Sequence, residues 1–300
     1  MTDLRQTPAY ASYMASCGWI VGKVPPFSFP RQPHSHRRPS TFVYIKKLPL
    51  LPFSVMKIQR SSLPDFRAVD RLCRAHRAVF IAIEPRIIRG LSVSEVAAIF
   101  QQHGYRQASI PMLPTRTLQI DLRQSPKDLF RTFKKDARTS IRKTLHSCRF
   151  RVLDPQDEAQ RAQFYSFWKT YGRGFVFSVS NFQKLLAAFG SDSFFVCTYT
   201  GKGQLLAASL ILVHNKSASY YFACVSPLGR PRLAGYLVVW EAILEAKRRG
   251  CTAFDLEGVY DQRFPGLRRW KGFSQFKQKF GGKEIVYPGS FTRFSLPLFS

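Results

Sequence analysis

The residues best placed to do chemistry lie in the last fifth of the chain. A Phe276-Lys277 pair sits in a stretch rich in Gly and aromatic residues, read as a loop, that runs Phe273-Ser274-Gln275-Phe276-Lys277-Gln278-Lys279-Phe280-Gly281-Gly282. A fixed ammonium in a dry site stabilises negative charge as it builds on an oxygen, and a neighbouring ring holds or desolvates the head group. The plainer alternative is a surface Lys beside a core Phe. Upstream, Asp255-Leu256-Glu257-Gly258 closes an apolar strand. Strand alternation puts Asp255 and Glu257 on one side, where either could take the proton of an attacking amine or serve in a cap or ion pair. The histidines offer no other base: His34, His36, His76, His103 and His146 lie in the first half of the chain and His214 at a turn, with no Ser-His-Asp or Cys-His grouping. The chemistry then rests on positioning two substrates.

Cations form the second constellation. Between Arg116 and Arg151 stand eleven Lys and Arg against three Asp. Leu129, Phe130, Phe133, Ala137, Ile141 and Leu145 keep helical spacing there, and Ser125-Pro126 is a helix entry. Lys134, Lys135, Arg138, Arg142 and Lys143 fall on the other faces. A basic helix over 126–146 that docks by its apolar stripe would offer these cations to phosphates; a solvated surface face is the alternative. Arg230 and Arg232 precede a helix over Leu233–Arg249, whose N-terminus favours an anion. The run Arg230-Pro231-Arg232-Leu233-Ala234-Gly235 fits the first and last positions of a coenzyme A pyrophosphate turn, Gln/Arg-x-x-Gly-x-Gly/Ala, but Leu233 replaces the Gly that lets the backbone approach phosphate.

The whole chain shares this bias: 300 residues carry 46 Lys and Arg against 18 Asp and Glu, a net charge of +28. Such a surface concentrates polyanions, whether nucleic acid, anionic lipid or a nucleotide-linked substrate. With 45% hydrophobic residues, the chain can bury a core. The six Cys, at 17, 73, 148, 197, 224 and 251, include no pair two apart and no His-rich neighbour, so a metal site is not expected and reduced thiols are. No apolar run reaches the roughly 18 residues of a membrane span. We expect a cytoplasmic monomer that rests on the inner face of the plasma membrane through its basic side.

Helical spacing is found over Tyr10–Gly18, Asp65–His76 and from Ser92 or Ser94 to Gly104, with strands at Trp19–Val24, Phe42–Leu50, Ala78–Ile83 and Thr117–Leu122. A Pro-rich loop covers 25–40. Further on come strand Phe150–Leu153, helices Glu158–Tyr171 and Asn181–Phe189, an antiparallel meander over Phe194–Thr200, Leu205–His214 and Ser219–Val225, and strand Ala253–Leu256. Helices, antiparallel strands, helix, strand is an α+β order of the acetyltransferase (GNAT) kind, and residues 1–115 repeat it loosely. The expected fold is therefore α+β, with two tandem GNAT-like domains over 1–115 and 116–300, mixed and mostly antiparallel sheets flanked by helices, and the last fifteen or so residues returning to the first domain.

The run from Gly235-Tyr236-Leu237-Val238-Val239-Trp240-Glu241 through Asp255-Leu256-Glu257-Gly258 to Phe276-Lys277 and Phe280-Gly281 resembles the Fem-type (FemAB/FemX) aminoacyltransferases. The segment Leu129-x3-Phe133-Lys134-Lys135-x2-Arg138-x2-Ile141-Arg142-Lys143 is also similar to one in that family, and the likeness extends back to Gln6-Thr7-Pro8-Ala9-Tyr10. The resemblance implies transfer of an amino acid from aminoacyl-tRNA, the co-substrate, to the stem peptide of a peptidoglycan precursor, with no cofactor. It implies a charge-stabilising role for Lys277, a positioning role for Phe276, Asp255 as candidate base, and substrate contacts by Tyr236, Arg173, Trp240, Tyr221 and Trp19. Some members carry a Lys for the diphosphate shortly before the first-strand Trp. Met14 stands there, which leaves a lipid-linked muramyl peptide open as acceptor beside a UDP-linked one. A coenzyme A-dependent N-acyltransferase and a non-catalytic RNA-binding module are the alternatives.

Overall fold

The computed structural model of the chain describes residues 3–27, 40–172 and 178–295. In chain order its first elements are α1 (Pro8–Ser16), β1 (Ile20–Val24), β2 (Thr41–Lys47), β3 (Ser54–Ser61), α2 (Phe66–Ala75), β4 (Ala78–Pro85), α3 (Val93–Gln102) and β5 (Arg106–Gln107). There follow β6 (Arg116–Asp121), α4 (Pro126–Thr132), α5 (Lys135–Ser147), β7 (Cys148–Leu153), α6 (Glu158–Tyr171), α7 (Val179–Phe189), β8 (Ser193–Thr200), β9 (Leu205–His214) and β10 (Ser217–Val225). The last are α8 (Ala234–Arg248), β11 (Ala253–Gly258), α9 (Lys271–Lys277), β12 (Lys283–Val286) and β13 (Phe291–Phe294).

Two compact units result. The first is Met1–Thr115 with Asp261–Arg268 and Val286–Ser300; the second is Arg116–Tyr260 with Arg269–Ile285. The stretch expected to be one domain over 116–300 is thus interrupted. Asp261 explains the return: its carboxylate accepts from Thr115 Oγ1 at 2.6 Å and pairs with Arg263, which also donates to the Tyr287 carbonyl at 2.8 Å.

In the first unit the sheet order is β1-β2-β3-β4-β13-β5. Three antiparallel strands, β1 to β3, are followed by α2 and by β4, which lies parallel to β3. The core fills one face with Val43, Ile45, Met56, Ile58, Val69, Phe100 and Phe291. The second unit repeats the plan with sheet order β12-β6-β11-β10-β9-β8-β7. There β8, β9 and β10 are antiparallel, α8 crosses over, and β11 pairs parallel to β10. Strands β8 and β9 are buried almost throughout, and eleven residues of α8 are buried. Continuous apolar runs are what strands covered on both faces require.

Four expectations are corrected. The single basic helix over 126–146 is two helices. Phe133 is buried at 2% exposure and set edge-on to Trp240 and Phe280, while Lys134 is extended (φ −60°, ψ 151°) and gives its N–H to the Lys279 carbonyl at 2.9 Å. The buried stripe of α5 restarts as Ala137, Ile141 and Thr144, so Leu145 points outward at 45% exposure. Phe276 and Lys277 are in the last turn of α9, not in a loop. Strand β3 went unread because Ser54–Ser61 buries the polar residues Gln59, Arg60 and Ser61 and lacks clean alternation.

Gly282, which leads from α9 into β12, has φ +92°, and a Cβ built there would meet the Gln119 carbonyl oxygen at 2.8 Å. Gly282→Ala should cost about 2 kcal/mol of stability through strain and clash. Urea denaturation checks this, and an unchanged midpoint would contradict it.

Candidate functional site

The site is built where β10 and β11 part. Their parallel pairing runs from Ser217↔Ala253 to Ser219↔Asp255 and ends there, although β10 continues to Val225. Both strands are irregular at this point. β10 shifts register against β9 between Tyr220 and Phe222, and β11 shifts against β6 between Asp255 and Gly258. Glu257, inside the second shift, has φ +57°, a left-handed conformation that non-Gly residues hold only where surroundings enforce it. Simple alternation therefore does not relate Asp255 to Glu257.

Asp255 is tightly held. Its carboxylate accepts from the Thr117 hydroxyl, from Gln119 Nε2 at 3.1 Å and from the Glu257 N–H at 2.7 Å. Burial, seconded by the Glu257 charge, pushes its pKa up to about 6, against the pull of those hydrogen bonds. Lys277 reaches the same strand end and donates from Nζ to the Gly258 carbonyl at 2.8 Å. Its residue surface is only half-buried, yet its head group is dry enough that desolvation lowers its pKa to about 8, opposed by Glu257 and Asp255. The Phe273 ring centroid lies 5.1 Å from Nζ.

Aromatic packing fixes the helix that carries this ammonium. The Phe276 ring packs edge-on to Tyr236 at 4.9 Å and lies over Gly235, where a Cβ would sit 3.6 Å from it. Ser274 accepts from the Tyr260 N–H at 2.7 Å and donates to the Trp270 carbonyl at 2.6 Å. Lys279 donates to Tyr236 Oη at 3.0 Å and pairs with Asp136 at 2.7 Å. Tyr236 thus joins α8 to α5 through Lys279. Trp240, at 8% exposure and edge-on to Phe130 and Phe133, packs the core and is not an exposed contact. Tyr221 falls in the β10 irregularity, 4.7 Å from the Phe222 ring. Arg173 lies outside the described residues.

The cations separate into two groups. Lys135 and Lys143 line a cavity of about 510 Å³ with Asp136, Thr139, Ser140 and Leu233. Leu233 caps α8 in the left-handed conformation (φ 57°, ψ 24°) with no side-chain cap among the described residues, while the Ala234 and Tyr236 N–H groups donate to the Gly229 and Leu233 carbonyls at 3.1 and 3.0 Å. Amides at a helix start and flanking ammonium groups form an anion-binding arrangement. The rest are not in its lining. Lys134 is exposed at the start of α5, Arg138 donates to the Arg131 carbonyl at 3.0 Å, and Arg142 lies over the Phe130 ring at 5.3 Å. Arg230 is exposed, and Arg232 donates to the Leu228 carbonyl at 3.0 Å.

Trp19 belongs to the first unit and precedes β1. The ammonium groups of Lys57 and Lys46 lie 4.4 and 6.0 Å from its ring centroid. Met14 is a buried residue of α1 at 3% exposure, so the cations beside this Trp come from β2 and β3. Burial lowers the Lys57 pKa to about 8. Gln59 and Glu84 share a register position at the ends of the parallel pair β3/β4, and Gln59 Oε1, Ser61 Oγ and Glu84 Oε2 are buried with no hydrogen-bond partner among the described residues. Sequence reasoning missed this group with β3. The available signal was a carboxylate, Glu84, closing the apolar strand Ala78–Ile83 as Asp255 closes β11.

With this geometry in hand, the comparisons can be placed. Residues 179–299 match the FemAB family. The matched segment holds β8 to β11, α8 and α9, and with them Asp255, Tyr236, Phe276 and Lys277. No curated relative matches the chain. Among solved structures, FemX superposes with a TM-score of 0.75 at 15% identity, covering 98% of this chain and 92% of its own. The C-terminal domain of a candidate lysylphosphatidylglycerol synthetase from Agrobacterium fabrum gives 0.59 at 14% identity, over 96% and 88% of the two chains. A tandem GNAT protein of the clavulanic acid biosynthesis pathway gives 0.55 at 11%, over 85% and 79%. These likenesses establish the fold: mixed α/β, with two mixed sheets flanked by helices.

The raised pKa of Asp255 has a consequence for stability. The folded protein keeps a proton there between the ordinary value of 3.8 and about 6, so the stabilisation is full below pH 3.8 and is lost as pH rises through 6. From pH 4 to 7 the wild type should lose on the order of 3 kcal/mol relative to Asp255→Asn. Urea titrations of both proteins across that range measure the difference, and a gain with rising pH would contradict the assignment.

Proposed function

We propose that the protein is an aminoacyltransferase. It moves an aminoacyl group from aminoacyl-tRNA to an amine on the stem peptide of a peptidoglycan precursor, which is lipid-linked or UDP-linked. The observation that carries this reading is the desolvated Lys277 ammonium at the end of β11, beside Asp255, within the segment that matches FemAB.

In the reaction, the acceptor amine attacks the ester carbonyl of the charged tRNA. The C–N bond forms, negative charge collects on the carbonyl oxygen, and the C–O bond to the ribose then breaks. Lys277 stabilises that oxygen, and its dry surroundings strengthen the effect. Phe276 holds the lysine in place by anchoring α9 to α8. Asp255, with a pKa near 6, is ionised at neutral pH and accepts the proton the amine loses, which the leaving ribose oxygen recovers. Tyr236 and Tyr221 in the second unit and Trp19 in the first are assigned to substrate contacts, each within its own unit. Lys135 and Lys143 at the α8 cavity hold a phosphate of the tRNA, with Lys134, Arg138, Arg142, Arg230 and Arg232 as outer electrostatic contacts. No cofactor or metal takes part. We assign the work to the cytoplasm, at the inner face of the plasma membrane.

A second reading, a coenzyme A-dependent N-acyltransferase, is favoured by one observation: the cavity meets the start of α8, flanked by Lys135 and Lys143, where an acyl carrier's pyrophosphate would also fit.

The test is label transfer. Protein is mixed with tRNA charged with labelled Gly, Ala or Ser and with lipid-linked or UDP-linked muramyl-pentapeptide. Label should reach the pentapeptide, and Lys277→Met should lower the rate about 100- to 1,000-fold. No label from any charged tRNA, with turnover of acetyl-CoA instead, would favour the second reading. Neither would leave an RNA-binding module. Lys135→Glu with Lys143→Glu should weaken tRNA binding and reduce the slope of log affinity against log salt by about 2; an unchanged slope would remove the cavity from the tRNA path.

A further inference from the structure

The turn between β2 and β3 has the wrong chemistry for an ordinary surface turn. It reads Lys46-Lys47-Leu48-Pro49-Leu50-Leu51-Pro52-Phe53-Ser54, with no acidic residue. Pro49, Leu50, Leu51 and Pro52 are all exposed, Leu50 at 104% and Leu51 at 54%. Two adjacent leucines at a loop tip leave their burial unrealised in water. The tip is also rigid. The Leu48 N–H donates to the Phe53 carbonyl at 2.9 Å and the Leu51 N–H to the Leu48 carbonyl at 3.4 Å. Two prolines bracket the leucines, and Leu50 holds φ +62°, a conformation that bulky residues adopt rarely.

Cations surround this tip. In the sheet Lys47 is paired with Ser54, and Ser54 with Ala78, so the three stand in one row directly beneath the turn. The connection from α2 into β4 reaches the same row: the Ser54 N–H donates to the Arg77 carbonyl at 3.0 Å and Ser54 Oγ to the His76 carbonyl at 2.8 Å. Lys47, Arg77 and Arg74, in the last turn of α2, are exposed. An apolar tip next in the chain to Lys47, whose strand row also takes in the backbone of Arg77, is the profile of an element that lies in a bilayer interface, with leucines at the acyl boundary and cations at the phosphates. No helix among the described residues is long and apolar enough to cross a membrane, so contact of this kind would be peripheral.

We propose that the Pro49–Pro52 tip is a membrane-docking element that inserts Leu50 and Leu51 into the headgroup layer of an anionic phospholipid bilayer, with Lys47, Arg74 and Arg77 against its phosphates. This goes beyond the transfer reaction and does not depend on it.

The experiment is co-sedimentation with vesicles of phosphatidylcholine alone and of phosphatidylcholine mixed with phosphatidylglycerol. The wild type should bind the mixed vesicles and lose affinity with added salt. Leu50→Ser with Leu51→Ser should weaken binding about ten-fold or more, because part of two leucine insertions is lost. Lys47→Glu with Arg77→Glu should also weaken it about ten-fold or more, because cations near an anionic surface become anions. Both variants change exposed positions only, and unchanged urea midpoints would show that they fold. Binding of the Leu50→Ser, Leu51→Ser protein at wild-type affinity would overturn the proposal, as would failure of the wild type to bind the anionic vesicles.

Discussion

One ammonium group held out of water organises the second unit. Lys277 gives its head group to the Gly258 carbonyl at the end of a strand that already carries Asp255 and Glu257. An ion in that position is costly unless neighbours replace its hydration. The fold supplies those neighbours with stiff parts: a β11 register shift that presents the Gly258 carbonyl, a left-handed Glu257, Thr117 and Gln119 from the adjoining strand, and α9 pinned by Phe276 against α8. Each is a local irregularity or close packing that would be hard to justify on stability alone, and all converge on the environment of one proton-binding group.

The duplicated plan shows how such an environment arises. In both units three antiparallel strands lead through a helix to a parallel fourth, and in both a carboxylate closes that fourth strand: Glu84 in the first, Asp255 in the second. Each parallel pair also carries a positive-φ residue at its end, Arg60 on β3 and Glu257 on β11. Carboxyl ends of parallel strands in open sheets are where backbone and side-chain groups project without a partner strand. In the first unit this leaves Gln59, Ser61 and Glu84 with buried polar atoms unpaired beside a Lys57 of lowered pKa. Buried polar groups are normally satisfied, and these three are exceptions among the described residues.

The sequence made the second unit more legible than the first. Strands β8 and β9 and helix α8 are long, strongly apolar and bounded by Gly turns, and their limits were read nearly to the residue. Phe276, Lys277 and Asp255 stand out by type, spacing and resemblance, and the fold gathers them at the end of β11. What failed were tertiary effects. The basic helix breaks because Phe133 fits a ring pocket and Lys134 meets a distant carbonyl, neither of which is local. The Glu257 bulge defeats period-2 reasoning. β3 lacks a legible pattern because its polar residues Gln59, Arg60 and Ser61 are buried, and Lys57 is hidden with it. The seven cations looked equivalent in sequence, whereas folding brings only Lys135 and Lys143 to the cavity at α8.

The central claim is that Lys277 is a desolvated, carbonyl-anchored ammonium, and its own titration tests that most directly. Nitrogen-15 NMR of labelled lysine side chains, with Lys277→Arg to assign the signal, would follow Nζ from pH 6 to 11. We expect a midpoint near 8. A midpoint at the ordinary lysine value of 10.5 would show the head group to be solvated and would contradict the account.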